Sequence, residues 1–344
     1  MRRLLPIFAA LFLAGACASR PDAYVQITGR AQGGEYSVKM NMKGVSVPVE
    51  SVRDSIDAIL LGIDTTLSGY NSHSLLARFN AGERIRPNTL FLQMYEDAYA
   101  YWERSGGLLD FAAGPLYDAW GFGFRDGALP TDAQVASLLG NCGMSRLPRR
   151  LPVSEDGWLD PAGMGFPRLN YNAVAQGYSC DLVARFLYGL GVKDMLVDIG
   201  EIWCDGLNPS GRPWAVGVDR PVDRENGNEQ AGLSDVWSSE GRPCGITTSG
   251  NYRKYYVRDG RKYAHTINPL TGYPVQHNLL SATVVSAASA AESDALATWC
   301  MVIGLDAAKE LILHEPGVEG YLVSAAPDGQ FVEWASPGFT LKGN

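Results

Sequence analysis

Apolar positions recur at helical spacing in five stretches of this 344-residue chain and alternate with polar ones in others. Val52, Ile56, Leu60 and Ile63 mark one face of a helix over 52–67. Asn88 as N-cap and Ser105-Gly106-Gly107 as stop frame a second helix over 89–104. A third spans 131–139, opened by Thr131-Asp132 with Gly140 beyond its end. A fourth runs over 177–190 to Gly191, and a fifth over 293–303 to Gly304. Tyr36 to Met42 alternates as a strand, and 194–202 and 214–218 read as further strands. The polar stretch from Pro221 to Gly241 predicts a long exposed loop. The pattern predicts one continuous α+β unit with helices packed on largely antiparallel sheets.

The first 17 residues break this pattern. Arg2 and Arg3 precede an apolar run from Leu4 to Leu13 that ends in small residues. That is the shape of a secretory leader, too short to span a bilayer. Ala14-Gly15-Ala16-Cys17 is similar to a bacterial lipobox, with Leu13 one place upstream of the usual Leu. Ordinary cleavage at an A-x-A site, before Cys17 or Ser19, fits the same residues. The expected division is a leader over 1–17, a linker over 18–28 and one domain over 29–344.

Charge narrows the partners. The chain has 29 Lys+Arg against 37 Asp+Glu, a net −8, and loss of the leader makes it more negative. No basic stripe is present to neutralise phosphates, which argues against nucleic acid. The six cysteines form no C-x-x-C pair, so a zinc or redox motif is disfavoured, and a single disulfide is possible but cannot be placed.

Candidate chemistry centres on the fifth helix. Asp294 and Thr298 lie four apart and so stack on one face, among Ala295, Ala297, Met301 and Val302. A buried carboxylate without a basic neighbour asks for a metal or a partner. Carboxylate plus hydroxyl is hard-cation chemistry, Mg2+ rather than zinc. The alternative is that Asp294 merely caps the helix. Thr247 to Tyr252 is a polar turn able to cradle phosphate or to make an ordinary hairpin. His265, among turn residues nearby, is a proton acceptor or a structural histidine. Asn170 to Tyr178 brings Gly177 to a helix entrance, for an anion or for packing. Leu67 to Asn71, Ser105 to Leu116 and Trp120 to Gly123 join flexible turns to aromatics that could stack on a flat ring or fill the core.

In combination these segments resemble the ApbE family of flavin transferases, over about Gly29 to Leu313. The resemblance rests on five ordered motifs. They are Leu67-Ser-Gly-Tyr-Asn71 with Arg78-Phe-Asn80; Asp110 through Trp120-Gly-Phe-Gly123; Asn170 through Gln176-Gly-Tyr178 with Asp181; Thr248-Ser-Gly-Asn-Tyr252 with His265 and Asn268 to Pro274; and Ser293-Asp-Ala-Leu-Ala-Thr298. It implies a T-fold-like domain that moves FMN from FAD onto a Ser or Thr hydroxyl of an acceptor protein, releasing AMP. Asp294 and Thr298 match the metal pair, and the Ala173 carbonyl completes the Mg2+ shell. Tyr70 matches an aromatic against the isoalloxazine. Leu108, Leu109 and Asp110 match a segment lining the FAD site, and Gln32, Asn170, Gln176 and Ser249 fall at further FAD positions. His265 matches a histidine able to assist proton transfer. Export to the periplasmic side with a lipid anchor on Cys17, and an acceptor in a membrane electron-transfer complex, are also implied.

The sequence departs from the family pattern in four places. Asn170 stands where Asp is usual, Gln176 where Lys is usual, and Gln32 where Met is usual, while Gly200-Glu201 shortens a Gly-Gly-Glu. Two other readings use the same parts: a Mg2+-dependent FAD pyrophosphatase yielding FMN and AMP, and a non-catalytic FAD-binding lipoprotein.

Overall fold

The computed structural model describes residues 23–122, 129–165, 167–219, 233–251, 255–258, 261–264 and 266–343. The elements in order begin with β1 (Tyr24–Ala31) and β2 (Gly34–Asn41). Six helices follow: α1 (Val49–Leu67), α2 (Leu75–Asn80), α3 (Thr89–Arg104), α4 (Gly114–Ala119), α5 (Asp132–Asn141) and α6 (Ala175–Gly189). Then come β3 (Met195–Asp198), β4 (Ile202–Asp205), β5 (Ala215–Asp219), β6 (Leu233–Ser238), β7 (Cys244–Gly250), β8 (Tyr255–Arg258) and β9 (Arg261–Ala264). The chain closes with β10 (Ile267–Asn268), β11 (Tyr273–Pro274), β12 (Leu279–Ser286), α7 (Ala290–Ile303), α8 (Leu305–His314), β13 (Val318–Ala325), β14 (Phe331–Ala335) and β15 (Leu341–Gly343).

Eight strands form one antiparallel sheet in the order β1-β2-β3-β4-β7-β12-β13-β14. Period-two alternation divides its side chains between two cores. Val38, Met40, Met195 and Val197 face the helices α1, α3 and α6, and Ala282, Val284 and Leu322 face α7 and α8. On the other side Cys204, Cys244, Ile246, Val285, Tyr321 and Val323 pack with Trp214 and Trp237. That second face is covered by a small sheet ordered β15-β6-β5. The architecture is α+β, with helices on largely antiparallel sheets.

Where caps and periodicity agree, the predicted helices form and α3 keeps both predicted ends, while α1, α6 and α7 start two or three residues before the expected positions. Asn88 accepts from the Phe91 N–H at the start of α3, which ends at Arg104. Thr131 and Gln134 make a reciprocal capping box on α5. Gly140 lies inside α5 rather than past it, because the helix runs on to Asn141.

Three expectations are corrected. The single strand over 194–202 is two strands, because Gly200 at φ 91° turns the chain between β3 and β4. The expected loop over 221–241 contains β6, which carries the fully buried Trp237; residues 221–232 lie outside the described residues. The sheet begins at Tyr24, inside the expected linker, because residues 24–31 pair in full with β2. The leader and Cys17 lie outside the described residues.

Candidate active site

The buried helix α7 is the backbone of the site, and its start is fixed by neighbours. Ser289 caps it by accepting from the Glu292 N–H. Asp181 on α6 accepts from the Ala290 and Ala291 N–H groups at 2.8 and 2.9 Å, filling donors that a helix end leaves open. Glycines let α6 and β7 approach this turn closely. A Cβ on Gly177 would stand 2.3 Å from the Ala290 oxygen, and one on Gly245 would stand 2.4 Å from the Ala290 Cα. At the far end the His277 ring meets the Met301 carbonyl through Nε2 at 2.9 Å.

With Ser289 as the cap, Asp294 sits in the second turn, so the capping alternative falls. Its side chain is 5% exposed, and Oδ2 accepts from the Gly177 N–H at 3.2 Å. Among the described residues no ion pair reaches it. Burial pushes its pKa up to about 8, against the Gly177 hydrogen bond and with the Asp181 charge adding to the rise. Glu201, on the turn into β4, is raised well above the carboxylate range by burial and by the Asp294 charge. Thr298 follows Asp294 by one turn and reaches the adjoining cavity.

That cavity has a volume of about 430 Å3 and brings eight of the predicted residues together. Tyr70, Leu108, Leu109 and Asp110 line one part, and Asn170, Ala173, Ser249 and Thr298 another. Tyr70 stands at the rim, 73% exposed, with its hydroxyl accepting from the Asn172 side-chain amide at 3.1 Å. Asn170 in turn accepts from the Asn172 backbone N–H at 3.0 Å. Asp110 turns its carboxylate toward backbone, accepting from Ala112 at 2.9 Å and from Met144 at 2.9 and 3.1 Å. Burial nevertheless raises its pKa.

Three predicted residues do not line the cavity. Asp294 sits behind it, on the α6 side. The Gln32 side-chain amide donates to the Ser179 hydroxyl on α6. Its φ of 51° places Gln32 in the tight β1–β2 turn with Gly33. Gln176 packs against the Gly200 turn, where a Cβ would meet its Nε2 at 2.4 Å. His265 lies outside the described residues.

Other lining residues were not predicted as site residues. Asn172, Tyr117, Thr266, Met301 and Val302 all face the cavity. The last two follow Thr298 by three and four positions, so helical spacing identifies them. Asn172 leaves no comparable signal, since its role depends on Tyr70, 102 residues away in sequence.

The donor set fits a hard cation. A buried carboxylate without a counter-charge, a hydroxyl one turn on and the cavity-lining Ala173 supply oxygen ligands only. No group of three His, Cys, Asp or Glu side chains that could hold a metal converges among the described residues.

Known proteins with the same build carry flavin-transfer names. A Salmonella typhimurium protein named FAD:protein FMN transferase is 31% identical over 351 residues, covering 96% of this chain and 94% of that one. An Escherichia coli K12 protein of the same name is 32% identical over 296 residues, covering 84% and 80%. Among solved structures, the flavin transferase ApbE from Vibrio cholerae aligns with TM-score 0.75 at 27% identity, covering 91% of this chain and 97% of that one. The Pseudomonas stutzeri flavinyl transferase ApbE, apo form, aligns at 0.76 and 29%, covering 91% and 95%. With the ApbE family model matching residues 32–322 as well, the chain belongs to the ApbE family.

Proposed function

We propose that this chain transfers FMN from FAD to a Ser or Thr hydroxyl of an acceptor protein, with Mg2+ as its cation. What carries the reading is one adjacency: the Tyr70 rim and the Leu108–Asp110 segment share a cavity with Thr298, one helical turn from buried Asp294.

In the proposed step the acceptor oxygen attacks the FMN phosphorus of FAD and the pyrophosphate P–O–P bond breaks. AMP leaves, and the hydroxyl proton passes to a base, for which His265 is the candidate. Tyr70 holds the flavin ring, braced by Asn172. Apolar walls from Phe111, Met301 and Val302 exclude water that would compete with the acceptor. Asp294, Thr298 and the Ala173 carbonyl would hold Mg2+, which when bound offsets charge on the phosphates. On the same reading the chain is exported and anchored through Cys17, acting on a membrane-associated acceptor, and its catalytic unit forms a single domain.

The test incubates the purified chain with FAD, Mg2+ and a domain bearing a Ser/Thr flavinylation site. The expected result is an FMN adduct on the acceptor, with AMP in solution, both lost in EDTA. AMP and FMN without adduct, across several acceptors, would establish hydrolysis instead. Bound FAD without AMP would leave a binding protein.

A further inference from the structure

Away from the cavity, the face of the large sheet turned toward the small one carries two sulfurs side by side. Cys204 on β4 and Cys244 on β7 are direct antiparallel partners. Both are fully buried, packed with Trp214 and Trp237, and both are free thiols. Their Sγ atoms lie 3.8 Å apart. Directly opposed residues on antiparallel strands hold their Cα atoms about 4.5–5.5 Å apart. Disulfides accept about 4.4–6.8 Å. Closing the sulfurs to a bond of about 2.05 Å therefore asks for side-chain rotation rather than movement of the strands.

We propose that Cys204 and Cys244 form a disulfide as the chain folds in an oxidising environment, stapling β4 to β7 near the middle of the large sheet. The oxidant is a small or protein disulfide. One cysteine thiolate attacks it, giving a mixed disulfide and releasing one thiol. The other cysteine then attacks the mixed disulfide, closing the Cys204–Cys244 bond and releasing the second thiol. Two protons and two electrons leave the cysteines, and the oxidising disulfide takes them up as two thiols.

The surroundings set the timing. Once the sheet has closed, no oxidant reaches either sulfur. The hydrogen bond with Cys244 and burial also push the Cys204 thiol far above its ordinary range, leaving little thiolate to attack. The bond thus forms before the small sheet covers this face. Its position matters for the site, because β4 leads from the Gly200-Glu201 turn and β7 leads to Ser249. A bond here fixes the separation of those two strands.

The test unfolds and reduces the full chain, then refolds it with reduced and oxidised glutathione or with reductant alone. Each sample is alkylated under denaturing conditions, digested and analysed by mass spectrometry. Oxidative refolding is expected to join the Cys204 and Cys244 peptides, two hydrogens lighter than the separate thiols. Oxidised glutathione added to the already folded, reduced chain is expected to leave both alkylatable. The bonded form should melt several degrees higher than the reduced form, and Cys244→Ser should erase that difference. Full alkylation of both after oxidative refolding, or a bond to Cys142, Cys180 or Cys300, would overturn the pairing. Rapid bonding in the folded chain would overturn the timing.

Discussion

Asp294 is a carboxyl group placed where a charge is least comfortable, with one backbone N–H and, among the described residues, no cation beside it. Its folded pKa of about 8 exceeds the ordinary value, so between about pH 4 and 8 the folded chain holds a proton that the unfolded chain releases. Stability of the metal-free chain should therefore fall as pH rises through that window. Asp294→Asn should flatten this fall in thermal melts. It should also remove both Mg2+-induced stabilisation and transfer, whereas a merely structural Asp294 would leave the Mg2+ response in place. Tyr70 offers the opposite case, an exposed ring whose removal leaves the core untouched. Tyr70→Ala should raise KM for FAD about tenfold, the loss of one stacking contact of about 1–3 kcal/mol, with Tm unchanged. The proposed metal pair is legible in the sequence because a carboxylate and a hydroxyl stand one turn apart in an apolar helix. The brace from Asn172 to Tyr70 is not, because it joins two loops that only the fold brings together.

At the scale of elements, α7 is positioned by contacts at both ends and close approaches on its flanks. Gly177→Ala would drive a methyl into the Ala290 carbonyl. A cost of about 1–3 kcal/mol in chemical denaturation is expected, together with weaker Mg2+ binding, since the same residue donates to Asp294. His277 holds the other end as a neutral ring. Burial lowers its pKa below 6.5, and among the described residues no acceptor meets its Nδ1. The unfolded chain therefore gains a proton below pH 6.5 more readily than the folded one, so the His277 contribution to stability drops as pH falls from 7 to 5, opposing the Asp294 contribution. His277→Asn should remove this opposition and make the fall of stability with rising pH steeper in pH-dependent melts of the metal-free chain. Elements with a cap, a periodic stripe and a glycine stop, such as α3, are legible in the sequence; α7 is legible by its glycine stop but begins three residues before the expected start, because its cap is Ser289. Short helices α2, α4 and α8 are not, being too brief or too close to a longer neighbour to show a stripe. Strand β6 is hidden because its apolar residues Leu233, Val236 and Trp237 do not alternate and stand in an otherwise polar stretch.

The whole molecule is acidic, with net charge −8 and a pI near 5.1, yet its proposed substrate is also an anion. Long-range repulsion between the two is screened over about 8–10 Å at ordinary ionic strength. FAD binding without Mg2+ should therefore strengthen as salt rises from low values, and this trend should shrink once Mg2+ is supplied. Titration of flavin fluorescence at several salt concentrations reads both. The overall architecture is legible in the sequence, since alternating stripes and caps already indicate α+β. The strand order is not, because β4 and β7 become neighbours across a long excursion that builds the small sheet.

A helix tethered at its first turn by Asp181 and at its last by His277 has no end from which to fray. The amide hydrogens of α7 should accordingly exchange with solvent only when the whole body opens, at rates matching the slowest in the large sheet. Heat would then leave no interval in which the fold survives and catalysis has gone. Inactivation and melting should share one midpoint, and the working lifetime of this catalyst is the lifetime of its fold.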